Sequence, residues 1–268
     1  MNITLPKLHI DAFTRRLFGG NPAAVMPLQT WLPDETMQAL AFENNLSETA
    51  FFVGEKGDYH LRWFTPVQEV NFCGHATLAS AWALWNVLGE GGSELRFQTR
   101  MGELGAVRGE SGAVVLDVPR IDPAPSARTV AELEALLQVP VQDVFSVEEG
   151  NFSVFAVLES ASAVRTFQPD WARLEGIDDL VITAAGDDVD FVSRCFAPGM
   201  GIPEDPVTGS THSTLAPYWG EKLDKASLIA RQVSARGGEL RCEVLPLRVR
   251  VSGHAVLYSQ GMVQLPDE

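Results

Sequence analysis

Glu48 is the carboxylate whose surroundings best suit acid–base chemistry. It lies in Asn45-Leu-Ser-Glu-Thr-Ala-Phe-Phe52, an apolar segment that predicts a strand from Leu46 to Val53. Contact with aromatic rings would raise the pKa of the carboxyl group, as proton transfer near neutral pH requires. The alternative is an acid on the solvent face of an alternating strand, and the pattern alone favours that alternative.

Two glycine-containing loops could bind an anion or stabilise developing charge. Helices are predicted to begin near Gly74 and near Gly209, each after a loop that follows a strand. Backbone amides at such helix starts can hold a carboxylate or stabilise an enolate-like charge. The alternative is that each glycine only makes the turn, while the nearby polar side chains of His75 and Asp205 cap the helices.

A third glycine-rich segment, Phe18-Gly-Gly-Asn-Pro22, lies between two predicted strands. Its composition is typical of a tight turn. From that turn the side chain of Asn21 could also reach a cleft.

The motifs that bind common cofactors are missing from the sequence. Neither helix-opening loop has the spacing of a Walker A or dinucleotide-binding motif. The five histidines are scattered without HxH or HExxH spacing, and the three cysteines form no CxxC pair. We therefore predict no metal ion and no organic cofactor.

The elements that carry these residues occur twice along the chain. The stretch from Asp58 to Pro66 recurs as Asp190 to Pro198, sharing an aspartate, an aromatic residue, an arginine, a phenylalanine and a proline. The segment from His75 to Trp82 recurs as His212 to Trp219, with five identities in eight positions. The repeats predict two domains of like architecture, each with a strand, a loop and a helix.

The repeats also predict where the domains divide and where a ligand binds. Three prolines follow the apolar strand from Val114 to Val118, which places the boundary near residue 119. We expect an N-terminal half at 1–118 and a C-terminal half at 119–254, with a final strand near 255–268 that could return to the first half. Paired about a pseudo-two-fold axis, equivalent helix N-termini would face one interdomain cleft, the expected active site.

Composition and charge exclude several classes of partner. The chain has 268 residues and a net charge of −15, a surface that repels nucleic acid and anionic membranes alike. Three widely spread cysteines argue against a disulfide framework and fit a reducing compartment. Because there is neither a leader pattern nor a long apolar run, we expect a cytoplasmic protein.

Several short motifs, taken in order, resemble a known family. They are Asp11-Ala-Phe13 with Gly20-Asn-Pro22, Asn45-Leu-Ser-Glu-Thr49, Phe64-Thr-Pro66 with Phe72-Cys-Gly-His75, and Glu204-Asp-Pro-Val-Thr-Gly-Ser210. In this order and spacing they resemble the phenazine-biosynthesis (PhzF-like) isomerases of the diaminopimelate-epimerase superfold, from about residue 7 to the C-terminal strand. The resemblance implies an α+β fold of two pseudo-symmetric domains, each a barrel-like, mostly antiparallel sheet around a central helix.

The same resemblance implies roles for individual residues. Glu48 corresponds to the family's catalytic acid, and His75 and Asp205 to the residues that assist it. A substrate carboxylate would be held at the two helix starts, without metal or organic cofactor, and a homodimer is implied. The candidate substrate-binding residues in these motifs are Asn21, Ser47, Cys73, Gly74, Thr208, Gly209 and Ser210.

The predicted function is therefore a cofactor-independent isomerase that moves a proton between carbons of a small carboxylic acid through Glu48. One alternative is a non-catalytic binder of a small acidic metabolite or a partner protein. Another is an epimerase that depends on Cys73. The epimerase branch of the superfold uses two opposed cysteines, and the segment 205–210 offers no second one. A symmetric cysteine racemase is therefore disfavoured.

Overall fold

The chain forms two compact units. In the computed structural model, which describes residues 3–148, 153–200 and 202–265, the first unit is Met1–Asp117 with Ser252–Glu268. The second unit is Val118–Val251. Among the described residues, none of the helices combines the length and apolar character needed to span a bilayer.

The first unit is built mainly from strands. Its elements are β1 (Ile3–Ala12), β2 (Asn21–Leu28), α1 (Asp34–Asn44), β3 (Glu48–Glu55), β4 (Asp58–Phe64), β5 (Glu69–Val70), α2 (Gly74–Asn86), β6 (Glu94–Thr99), β7 (Gly102–Arg108) and β8 (Val114–Pro119), whose last two residues belong to the second unit.

The second unit repeats this mixture. Its elements are β9 (Ala124–Pro125), α3 (Val130–Leu137), β10 (Val141–Ser146), β11 (Phe155–Leu158), α4 (Ala161–Thr166), β12 (Leu180–Ala185), β13 (Phe191–Ala197), β14 (Ile202–Asp205), α5 (His212–Leu223), β15 (Ser227–Gln232), β16 (Gly238–Val244) and β17 (Arg248–Gly253), whose last two residues belong to the first unit. The last strand, β18 (Ala255–Leu265), belongs to the first unit, where it pairs antiparallel with β1.

The two units share one order of strand pairing. In the first unit, β1–β2, β3–β4, β4–β5 and β6–β7 are antiparallel, whereas β2–β3 and β4–β6 are parallel. In the second unit, β10–β11, β12–β13, β13–β14 and β15–β16 are antiparallel, whereas β11–β12 and β13–β15 are parallel. Helices occupy matching positions in these pairings, since α1 precedes β3 as α4 precedes β12, and α2 precedes β6 as α5 precedes β15. The repeats seen in the sequence thus correspond to repeated topology.

Each unit has one helix that is buried on nearly all sides. Helix α2 contacts β1, β2, β3 and β18, and 11 of its 13 residues are buried. Helix α5 is similarly enclosed, with a continuous buried run from His212 to Gly220. A helix that is buried around most of its circumference must lie inside a core, so each unit folds around its own helix.

The two central helices begin differently. Helix α2 begins at Gly74, as predicted. The prediction of a helix start near Gly209 was wrong by three residues, because α5 begins at His212. The preceding residues form a tight turn in which the amides of His212 and Ser213 donate to the carbonyls of Gly209 and Ser210, at 3.2 and 3.1 Å. Hydrogen bonds between residues three apart in the chain, as in a 3-10 turn, are common at helix termini.

The arginine repeated in both halves makes the same ion pair in both units. Arg62 on β4 contacts both carboxylate oxygens of Glu69, each at 2.7 Å. Arg194 on β13 contacts both oxygens of Glu204, at 2.7 and 3.0 Å. Two-point pairing fixes the short strand that leads into each helix-opening loop. Glu204, although part of the segment 204–210, is therefore engaged in an ion pair within its own unit.

We expect an Arg194→Leu variant to lose about 3 kcal/mol in free energy of unfolding, because a nearly buried ion pair loses one partner. The side chain of Arg194 is only 9% exposed, and it also donates to the carbonyls of Val164 and Phe167. The matched control is Arg96→Leu, which removes an exposed pair with Asp58 and should cost much less stability, because solvent screens that pair. Urea unfolding measures both, and equal losses would contradict the structural role of Arg194.

Candidate active site

Glu48 lies at the start of β3 and is largely buried. The strand begins there and not at Leu46, because Asn45 ends α1 in the left-handed conformation (φ 48°) and the next two residues form a turn. Ser47, in that turn, is half-buried. The side chain of Glu48 is 12% exposed. The alternative of a solvent-facing acid is therefore wrong.

Strand register places Asn21 and Glu48 on one face of the sheet. In the parallel pair of β2 and β3, Glu48 lies beside Ala23. Residues two apart on a strand share a face, so Asn21, at the start of β2, points to the same side as Ala23. Helix α2 lies against β2 and β3. Its first turn therefore meets both polar side chains.

His75, the second residue of α2, joins these groups. Its Nε2 lies 3.1 Å from Oε2 of Glu48. Its Nδ1 lies 3.1 Å from the side-chain amide of Asn21 and 3.5 Å from Sγ of Cys73. An amide side chain can present either a donor or an acceptor, so Asn21 suits both protonation states of the imidazole. The result is a buried chain of polar contacts that ends at Glu48.

The electrostatics of this group differ from those of isolated side chains. Burial alone would lower the pKa of His75, but the adjacent Cys73 and Glu48 outweigh it and raise that pKa well above its usual value. Burial, followed by the nearby Glu48 carboxylate, raises the pKa of the Cys73 thiol to about 11. Burial thus opposes ionisation of the Cys73 thiol.

The first turn of α2 leaves backbone donors free. The amides of Gly74 and His75 make no hydrogen bond to any described residue, whereas the amide of Ala76 is directed at the Cys73 sulfur. The helix starts from Cys73 without a side-chain cap, so the alternative that His75 caps it is wrong. Free amides at the positive end of a buried helix are suited to bind an anion.

A second polar group surrounds Asp205 in the other unit. The hydroxyl of Thr208 donates to the Asp205 carboxylate. The side chain of Gln232 donates to the Asp205 carbonyl at 2.7 Å and accepts from the Thr208 amide at 2.8 Å. Asp205 is the last residue of β14 and not a helix cap, because α5 starts from Thr211 without a side-chain cap. The loop is thus held rigidly from both ends.

The turn before α5 also leaves free amides. The backbone N–H groups of Gly209, Ser210 and Thr211 donate to no described residue. Gly209 is buried and Ser210 half-buried. The structure therefore brings the predicted residues together as two groups, each within one unit. Each group combines a carboxylate with unpaired backbone donors.

Two features of the site were missed at the sequence level. Gln232 organises the Asp205 loop but lies 24 residues from Thr208, at the end of a strand and in no recognisable motif. Glu48, Cys73 and His75 form a cluster in which one ligand atom from each lies within 4.8 Å of the others. The sequence does not predict this cluster, because its members come from a strand and a helix and do not have a metal-binding spacing.

His212, the repeat counterpart of His75, has the opposite electrostatics. It is fully buried, and its Nδ1 lies 2.9 Å from the Thr208 carbonyl. Its Nε2 has no hydrogen-bond partner among the described residues. Burial lowers the pKa of His212 to about 4, despite the opposing bond to Thr208.

We expect this histidine to make stability depend on pH. Between pH 6.5 and pH 4 the unfolded chain binds a proton at His212 that the folded chain does not, so stability falls as the pH falls. From pH 7 to pH 5 the loss due to His212 is about 2 kcal/mol. Urea unfolding at both pH values should show a smaller loss in His212→Gln, whereas His60→Gln, at an exposed position, should follow the parent chain. Parallel behaviour of all three proteins would contradict the assignment.

Comparison with known proteins places these observations in a family. The family model for phenazine biosynthesis-like proteins (PhzC-PhzF) matches residues 10–261. An uncharacterized isomerase of Pseudomonas aeruginosa is 47% identical over 267 residues, covering 99% of this chain and all of that protein. The crystal structure of a PhzF-family protein from Enterococcus faecalis has a TM-score of 0.92 at 43% identity, over 98% of this chain and 100% of that one.

A more distant neighbour shares the fold alone. A hydroxyproline epimerase from Agrobacterium vitis has a TM-score of 0.65 at 11% identity, covering 98% of this chain and 91% of that one. Together with the PhzF-family structures it confirms the predicted α+β class and the epimerase-like architecture.

Proposed function

The chain belongs to the phenazine biosynthesis-like (PhzF) family, and from that membership and the geometry at Glu48 we propose that it is an isomerase of a small carboxylic acid. Glu48 takes a proton from one carbon of the substrate and returns it to another. The reaction needs no group beyond the side chains and backbone of the chain itself. The substrate carries a carboxylate and an acidic C–H bond.

The observation that carries the proposal is the contact of His75 with Glu48. A carboxylate that is 12% exposed, with an imidazole nitrogen 3.1 Å away, is held in one orientation. Nε2 of His75 lies beside one oxygen of Glu48, Oε2, which leaves the other oxygen to accept a proton from carbon. Because the side chain is nearly enclosed, the captured proton can return to the substrate before it is lost to water.

Backbone donors would stabilise the charge that forms on proton removal. Loss of a proton from carbon spreads negative charge into the substrate carboxylate. The free amides of Gly74 and His75 are suited to stabilise that charge, as an oxyanion hole does. We propose that the amides of Gly209 and Ser210, with Asp205, act on the same substrate.

The chemistry of Cys73 argues against a cysteine-dependent epimerase. A thiol with a pKa of about 11 supplies almost no thiolate near neutral pH. Cys73 lies against His75, so we assign it a positioning role beside the base.

The proposal is tested by incubating the protein with pooled cell metabolites in D2O. Mass spectrometry would follow pairs of compounds of equal formula that interconvert, and any deuterium that enters carbon-bound positions would measure how often the captured proton exchanges with solvent before its return. We expect one such pair to interconvert with the parent chain and not with Glu48→Gln. Ligands that raise the melting temperature without any interconversion or exchange would favour the binder instead.

A further inference from the structure

The cluster of Glu48, Cys73 and His75 has a composition that proton transfer does not require. A general base and its imidazole partner need no thiol. Here Sγ of Cys73 lies 3.5 Å from Nδ1 of His75, and one ligand atom from each of the three residues lies within 4.8 Å of the others. Cys73 and His75 are buried and Glu48 is nearly so, and all three belong to one unit.

These separations are close to those of a zinc site. Zn–S and Zn–N bonds of about 2.3 and 2.1 Å in a tetrahedron put ligand atoms roughly 3.5 Å apart. The sulfur and Nδ1 already meet that distance. Oε2 of Glu48 lies 3.1 Å from the other ring nitrogen, Nε2, so the flexible Glu48 side chain must rotate toward Nδ1 to complete the set, and the amide of Asn21 must leave Nδ1.

The donor set selects the kind of ion. One thiolate, one imidazole and one carboxylate suit Zn²⁺ and its close analogues, whereas Mg²⁺ and Ca²⁺ require oxygen ligands. Three protein ligands leave a fourth position open to water or to a carboxylate, as in zinc sites that exchange ligands. The excess of negative charge on the chain favours approach of any cation.

We propose that Glu48, Cys73 and His75 form a binding site for a thiophilic divalent cation, Zn²⁺, whose occupation blocks the base. On binding, the Cys73 thiol releases its proton and the ligating nitrogen of His75 gives up any proton that it carries. The lone pairs of sulfur, nitrogen and the Glu48 oxygen then bond to the metal. A carboxylate coordinated in this way no longer accepts a proton from carbon. The blocking, but not the binding, rests on the proposed function.

Cobalt provides a spectroscopic test of the binding. The full chain, reduced and free of chelators, is titrated with Co²⁺, and a sulfur-to-cobalt charge-transfer band is expected in the near ultraviolet at one ion per chain. Zn²⁺ should remove the band by competition, and Mg²⁺ should not. In Cys73→Ser the band should vanish and affinity should fall at least about 100-fold. Cys242→Ala, which removes another buried thiol, should keep the charge-transfer band and the cobalt affinity of the parent chain.

A second variant keeps the test decisive if Cys73→Ser does not fold. Glu48→Gln retains the thiol, so it should keep the band and weaken binding by about tenfold. Cobalt binding without a sulfur band, or a band that persists in Cys73→Ser, overturns the site.

The isomerisation assay separates the two claims. If Zn²⁺ binds and isomerisation continues at full rate, the blocking is overturned. If the metal binds but no isomerisation is found under any condition, the metal site stands and the proposed function fails.

Discussion

A Glu48→Gln variant is expected to isomerise the substrate about 100- to 10,000-fold more slowly than the parent chain. Glutamine keeps the size of the side chain and an oxygen that can stay in contact with His75, so the fold around the site should persist. What it loses is the ability to take a proton from carbon. The loss should therefore appear in kcat, with a smaller change in KM.

The same strand provides a matched control for this variant. Glu55, at the other end of β3, is a carboxylate whose side chain is 78% exposed. Glu55→Gln changes charge by the same amount and should leave turnover within about twofold, as surface substitutions usually do. Rates are followed as interconversion of the equal-mass pair, with melting temperatures measured in parallel. Full turnover by Glu48→Gln would remove Glu48 from the role of base.

The central contact of the site could not be predicted from the sequence pattern. Glu48 stood out because of its apolar neighbours and its motif, and His75 because it follows a glycine. Their contact depends on the parallel pairing of β2 with β3 and on α2 packing against both strands. Those are long-range features, and local periodicity contains no information on which strand ends meet which helix.

The repeats predicted the topology more completely than the chemistry. Matching residues such as Arg62 and Arg194 make the same ion pair, because both serve the same structural purpose in their sheets. His75 and His212 also correspond, yet the pKa of one is raised and that of the other lowered. The difference lies in their neighbours, since His75 lies against Cys73 and Glu48, whereas Ser210 stands at the position of Cys73 and β12 begins with Leu180. A histidine thus acquires its chemistry from residues that the repeat does not share.

The start of α5 shows a further limit of sequence patterns. Glycine at 209 predicted a helix start, but the chain first makes a tight turn that is held by Thr208 and Gln232. Gln232 comes from a distant strand, so the interaction that shapes the loop was invisible to local reasoning. Helix boundaries generally depend on such capping contacts.

Asp205→Asn is expected to lower kcat/KM about 100-fold, on the proposal that this carboxylate acts on the same substrate as Glu48. Asparagine can still accept the hydroxyl of Thr208, and Gln232 bonds to the backbone of residue 205, so the loop should keep its shape. The matched control is Asp143→Asn, a more exposed carboxylate in the same unit that bonds to Tyr218. It should retain turnover. A fall in melting temperature that accounts for the lost activity would make Asp205 structural.

The double variant shows whether the two groups serve one reaction. Residues that act in the same chemical step have strongly non-additive effects, because the second substitution removes a contribution that has already been lost. We therefore expect the double variant, Glu48→Gln with Asp205→Asn, to isomerise the substrate at most about threefold more slowly than Glu48→Gln alone. A further 100-fold loss, measured by the same interconversion, would mean that Asp205 contributes independently of the base, through binding alone. In that case the substrate carboxylate, and not the migrating proton, is what the Asp205 loop recognises.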